Sequence, residues 1–196
     1  MFAILRSRVY ARLSSSDAAQ IAEFAISVPL LVVFAVSIYD FGNAFGIKYK
    51  LVDAVREGAR FAANTPTRDL TNPSAGGAPA SVAVVPKIVG NYLTSAGLTD
   101  CGLAAATMAT AQGALAWSYS VSGCSGPLTL TINRGATFTT SATTLYPQGQ
   151  TVEATQVTLS YPYQWQFTNV IKLIAPGASY ASSSNLVTSA VVQNLN

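Results

Sequence analysis

The stretch Asp17-Ala18-Ala19-Gln20-Ile21-Ala22-Glu23-Phe24-Ala25-Ile26-Ser27-Val28-Pro29-Leu30-Leu31-Val32-Val33-Phe34 decides how the chain is read. From Phe24 to Tyr39 no residue is charged. A bilayer span needs roughly 20 residues, so the apolar window must run to Ile47 and include Asp40. A carboxylate in lipid is costly and needs a partner or an interfacial position. Asp40 sits near the far end of the window and Glu23 marks the near end. Asp17 followed by Gln20 has the capping-box spacing, with Ser15 and Ser16 as alternative caps. Past the window, Asp53, Arg56, Glu57 and Arg60 recur at three- and four-residue spacing, which carries the same helix into water. Asn64 and Pro66 stop it. One helix over 17–64 is therefore expected, a rod of about 65–70 Å. Pro29 removes one backbone hydrogen bond inside it and is expected to bend it, which membrane helices tolerate.

The composition fits an anchor plus one domain. Of 196 residues, 50% are hydrophobic and 10% charged, with a net charge of +3, against a usual charged share of about a quarter. Arg6, Arg8 and Arg12 make residues 1–16 a basic tail, and the positive-inside rule places such a tail in the cytoplasm. Lys48, Lys50, Arg56 and Arg60 on the other side of the window pull against that orientation. The tail and window lack a small-x-small cleavage site, so a retained signal-anchor is expected. Beyond Leu70 the charged residues are Lys87, Asp100, Arg134, Glu153 and Lys172, too sparse for nucleic acid. With no histidine, the commonest general base and metal ligand are missing. A Ser or Thr nucleophile would have Lys87 or Lys172 as its base, and no motif surrounds either. No catalytic group, metal or cofactor is expected. Cys101 and Cys124 lie past the window and are too few for a zinc site. They read as a disulfide in an oxidising compartment, or else as two buried thiols.

Residues 65–79, with Pro66, Pro73, Gly76, Gly77 and Pro79, read as a loop. Val82, Val85, Ile88, Val89 and Leu93 follow at helical spacing, which predicts an amphipathic helix over Ala80–Leu93 with Pro86 in its middle. Strands come next. Leu115, Trp117, Tyr119 and Val121 alternate with small or polar residues, and so do Leu128, Leu130 and Ile132. Asn133-Arg134-Gly135 reads as a turn. Val157 to Phe167 gives the longest alternating row, with Pro162 marking an edge, a bulge or a strand end. Val170–Ile174 is a short apolar piece, and Leu186–Val192 a last strand. Leu115, Trp117, Leu128, Leu130 and Leu159 form an inner sheet face that needs a cover, supplied by the second half of the long helix.

Ala22-Glu23-Phe24-Ala25-Ile26-Ser27-Val28-Pro29-Leu30-Leu31, then Phe41-Gly42, then Ala54-Val55-Arg56-Glu57-Gly58-Ala59-Arg60 resembles the TadE-like family of tight-adherence pilus proteins. The C-terminal run Val157–Tyr163 with the final strand is similar too. The resemblance implies an α+β, pilin-like fold: a long N-terminal helix packed on a small antiparallel sheet, divided as a tail (1–16), helix (17–64) and extracytoplasmic domain (65–196). Members cut by a prepilin peptidase carry Gly five residues before the Glu. Ala18 stands there, a departure from the pattern that leaves cleavage of this chain open. In related pilin-like proteins a Glu at this place neutralises a neighbour's amine; here Arg12 would substitute for that amine opposite Glu23. Gly42 and Gly46 form a GxxxG, and Ala54, Gly58 and Ala62 repeat the small-residue spacing, a pattern that lets helices approach closely. Glu23, Pro29, Gly42, Gly46 and Gly58 are the assembly candidates. The partners implied are the membrane and copies of the chain or other pilin-like subunits. The location implied is a bacterial inner membrane or an extracellular filament, and the role is an accessory component or a filament's repeating subunit. The alternative is an anchored surface- or carbohydrate-binding module using exposed rings among Trp117, Tyr161, Tyr163 and Trp165.

Overall fold

In a computed structural model, the described residues are 16–70, 77–141, 149–167 and 183–195, with Lys172 and Gly177. Helix α1 spans Ser16–Asn64 without a break at Pro29. Two short helices follow, α2 at Ala80–Ala83 and α3 at Val85–Ser95, then a single 3₁₀ turn at Leu103–Ala105. Five strands complete the fold: β1 Thr110–Gly113, β2 Ala116–Val121, β3 Leu128–Thr139, β4 Thr151–Gln164 and β5 Ser183–Gln193. They form one antiparallel meander in the order β1-β2-β3-β4-β5. The fold is α+β, as the sequence implies. The chain divides into two units: Met1–Asn43 with Trp165–Ser182, and Ala44–Gln164 with Ser183–Asn196.

The second unit holds the core. Within α1, Ala44, Leu51, Ala54, Val55, Ala59 and Ala62 are buried, at the three- and four-residue steps that make one helical stripe. From Leu51 on they join Val82, Val85, Val89 and Leu93 of α2 and α3 in one cluster with the inner sheet face. That face is Trp117 and Tyr119 of β2, Leu128, Leu130 and Ile132 of β3, and Val157, Leu159 and Tyr161 of β4. Each fully buried Leu, Ile or Val here contributes about 1.5–3 kcal/mol relative to exposure. Leu115, expected on this face, lies in the β1–β2 turn and is exposed. The single helix expected across Ala80–Leu93 is two helices. Proline at position 86 has no N–H to donate to the carbonyl four residues back, and its ring crowds that carbonyl. The chain answers with a break at Val84, and Pro86 takes the first turn of α3, where no donor is missed.

Asn133-Arg134-Gly135 is not a turn. Strand β3 runs through it, and the register with β4 shifts between Asn133 and Ala136. Asn133 pairs with Gln156 and Ala136 with Ala154, so β3 carries one extra residue, a β-bulge. Pro162 pairs with Asn185 of β5, while the β3 ladder reaches no further than Ser160. Proline therefore sits where β4 has run past its neighbour. The aromatic row ends earlier than its alternation suggests, because β4 stops at Gln164. The basic tail, with Arg6, Arg8 and Arg12, lies outside the described residues, as does most of Val170–Ile174.

Cys101 and Cys124 are bonded across a sequence separation of 23, and no free cysteine remains. In the chain-entropy account a loop of this length is worth about 3 kcal/mol. Replacing both cysteines by serine is expected to lower the stability of the sheet-containing unit by about that amount. Chemical denaturation of oxidised wild type against the double variant measures it. Coincident midpoints would assign the bond no stabilising role.

Candidate functional site

The first half of α1 is a helix without a core of its own. Ile21, Phe24, Ile26, Leu30, Leu31, Phe34, Ile38 and Tyr39 are exposed, and the helix is long and apolar enough to cross a membrane. In water a contiguous apolar surface of this kind is a liability. In lipid, or among like helices, it is the expected exterior. Ser37 donates its hydroxyl proton to the Val33 carbonyl at 2.7 Å, so its polar atom is satisfied inside the helix.

Asp40 interrupts this apolar surface and is fully buried. Its Oδ2 accepts the Phe167 backbone N–H at 3.0 Å. Phe41 lies 5.1 Å from Trp165, and Trp165 5.5 Å from Phe167, each pair of rings tilted. The segment that leaves β4 thus returns to α1 and seats its backbone on the carboxylate. An unmatched buried charge is what makes such a residue costly, and a donated N–H reduces that cost. The sequence signals the need for a partner at Asp40 but not its identity, which lies 127 positions away.

The five assembly candidates fall in different settings. Glu23 is exposed on α1, with no ion pair among the described residues, and its expected counter-charge Arg12 is outside them. Pro29 is exposed. Gly42 and Gly46 have open space where a Cβ would stand. Gly58 does not: a Cβ there would lie 2.6 Å from Val89 Cγ2 and 3.4 Å from Val85 Cγ1. The small-residue seam, continuous in the sequence, is therefore two seams. At 3.6 residues per turn, the step from Gly46 to Gly58 rotates about 120° around the axis. Gly58 accommodates α3 within the chain, and Gly42 and Gly46 remain on the open side. Of the charged residues expected to pair past the window, Arg56 meets Asp53 at 3.7 Å on the surface, an interaction of small worth.

Two further findings bear on function. Trp117, Tyr161 and Tyr163 are buried and Trp165 is half-buried, so these rings do not form the exposed strip that a sugar-binding reading requires. Arg134, which nothing in the sequence marks as special, is buried at the β3 bulge. Its Nη1 donates to Thr65 Oγ1 at 2.8 Å and its Nη2 to the Thr65 carbonyl at 3.0 Å. Thr65 itself donates its hydroxyl proton to the Ala62 carbonyl at 2.7 Å. A cation at a helix C-terminus is favourably placed, and this one ties the end of α1 to the sheet. Burial pushes the guanidinium below its ordinary value, and the charge of Asp69 opposes that shift.

The helix carries the family likeness. Residues 18–60 match the model of the TadE-like protein family. The TadE-like segment thus includes the exposed apolar half of α1 and most of the half that covers the sheet. No curated protein and no solved structure matches the chain.

Proposed function

We propose that the protein is a structural, pilin-like component of a tight-adherence pilus or secretion apparatus, held in the membrane by the first half of α1. The observation that carries this reading is the exposed apolar surface of α1 within its TadE-like segment. The same helix is lipid-compatible at one end and buried in a sheet domain at the other. An accessory component in the membrane is favoured over a filament's repeating subunit by the family likeness. The domain past α1 is placed outside the cytoplasm, a placement supported by the Cys101–Cys124 bond, since disulfides persist in oxidising compartments. The role is non-catalytic, resting on helix association and not on a reactive group.

In this reading Gly42 and Gly46 face neighbouring helices, Pro29 shapes the span, and Glu23 meets a basic group of a neighbour or of the chain's own tail. Gly46→Leu is expected to leave the protein folded and membrane-inserted, because a side chain there meets open space and glycine costs about 1 kcal/mol relative to alanine in a helix. Assembly is expected to fail, since close helix approach is lost. Glu23→Gln is expected to slow recruitment without changing helix spacing. Membrane fractionation reads insertion, and recovery of sheared surface filaments reads assembly. Wild-type filament yield from Gly46→Leu would reject the Gly42–Gly46 contact. Recovery of the wild-type protein in the soluble fraction would reject the anchor itself.

A further inference from the structure

Strand β5 is an edge of the sheet, since it follows β4 and no other strand of the described residues pairs with it. Natural edges are usually blunted by charge, proline, a bulge or shortness. Strand β5 has none of these. It is 11 residues long and reads Ser183-Ser184-Asn185-Leu186-Val187-Thr188-Ser189-Ala190-Val191-Val192-Gln193. It pairs with β4 from end to end without a register shift. On its outward face Val187 and Val191 are 54% and 49% exposed. The opposite edge differs, for β1 is 4 residues long and its register shifts.

The sequence of β5 also reads nearly alike in both directions about Ser189. Folding it back on itself there sets Thr188 on Ala190, Val187 on Val191, Leu186 on Val192 and Asn185 on Gln193. Small residues meet small, aliphatic meet aliphatic, and amide meets amide. Antiparallel pairing of two identical strands about a two-fold axis at Ser189 brings these mirror positions together, each residue meeting its counterpart in the other copy. No charge anywhere in β5 would be set against its like. We propose that β5 is a docking edge for a second copy of this chain, paired antiparallel about a two-fold axis at Ser189, so that the two sheets become continuous. The pairing satisfies the outward backbone groups of both edges and sets Val187 of one copy against Val191 of the other. It is separate from the helix contact through Gly42 and Gly46, and does not rest on it.

Cysteine crosslinking of the full chain in isolated membranes tests the register. Both native cysteines are engaged with each other, so an introduced thiol has no native thiol to compete for it. Directly paired antiparallel residues have Cα atoms about 4.5–5.5 Å apart, inside the disulfide range of about 4.4–6.8 Å. Ser189→Cys is therefore expected to give a disulfide-linked dimer on mild oxidation. Val187→Cys alone is expected to give at least about tenfold less, since its copies stand roughly 13 Å apart along the strand. The double variant V187C/V191C is expected to crosslink as well as S189C. Adding Val187→Lys to S189C places charge on an exposed edge position and is expected to abolish the dimer. Chance collision of membrane-bound chains, or pairing through α1 alone, would crosslink V187C as readily as S189C. That result, or an S189C chain that stays monomeric, overturns the proposal.

Discussion

A fragment beginning at Thr65 is expected to aggregate, whereas one beginning at Tyr39 is expected to run as a monodisperse species. The difference is the second half of α1. Leu51, Ala54, Val55, Ala59 and Ala62 are fully buried there and belong to the same cluster as the sheet. Leu51 and Val55 together account for about 3–6 kcal/mol of burial, a large share of the roughly 5–15 kcal/mol by which a typical domain is stable. Removing the helix also uncovers Val85, Val89 and Val157, which lie against it at Gly58, and the last turn takes with it the carbonyl of Ala62 that Thr65 bonds. Arg134 keeps Thr65 but loses the helix end that Thr65 caps. The Tyr39 start retains Asp40 and Phe41, so Trp165 and Phe167 keep their partners. Size-exclusion chromatography with circular dichroism of both fragments decides the matter. A folded, monodisperse Thr65 fragment would show that α1 is dispensable to the core. An aggregated Tyr39 fragment would show that the apolar half of α1 is needed for more than anchoring.

What is legible in the sequence follows from locality. The helix announces itself by period and length. The inner faces of β2, β3 and β4 announce themselves by alternation, and Trp117, Leu130 and Leu159 lie where alternation puts them. Strand β1 leaves no such mark because Thr110, Ala111, Gln112 and Gly113 are all exposed, and an edge with no buried side carries no alternation. The bulge at Arg134 reads as a turn because Asn-Arg-Gly has turn chemistry in isolation. Strand pairing on both sides overrides that local preference. The small residues read as a single seam although spacing in multiples of four drifts around the axis, and the drift shows itself once α3 is seen against Gly58. Asp40 and Phe167 cannot be matched from sequence, since nothing local to either names the other. That no described strand lies beyond β5 follows from the sheet order, which a list of strands does not supply.

Gly58→Leu is expected to break the domain where Gly46→Leu leaves it intact, although both substitutions fall on the same helix. Leucine at 46 points into open space. Leucine at 58 must displace Val89, whose Cγ2 would already be 2.6 Å from the first added carbon. Val85 and Val89 are buried, β-branched and on a helix, so rotation about χ1 offers them little escape. Overpacking by one methyl costs about 1–3 kcal/mol, partly offset by about 1 kcal/mol of helix propensity gained on losing glycine. Gly58→Ala is therefore expected to be mildly destabilising. Gly58→Leu adds three more carbons to the same gap and is expected to lose roughly 3 kcal/mol or more. Thermal melts of the Tyr39 fragment measure both. The cause is separable from a general effect at position 58 by a double-mutant cycle that combines Gly58→Ala with Val89→Ala. Val89→Ala costs stability alone, because it leaves a cavity, but it removes the atom that the new methyl at position 58 would strike. The pair is expected to be more stable than the sum of the two single losses. Strict additivity, or an unchanged melt for Gly58→Leu, would show that α3 does not rest on this glycine and would return Gly58 to the set of residues available to a neighbouring helix.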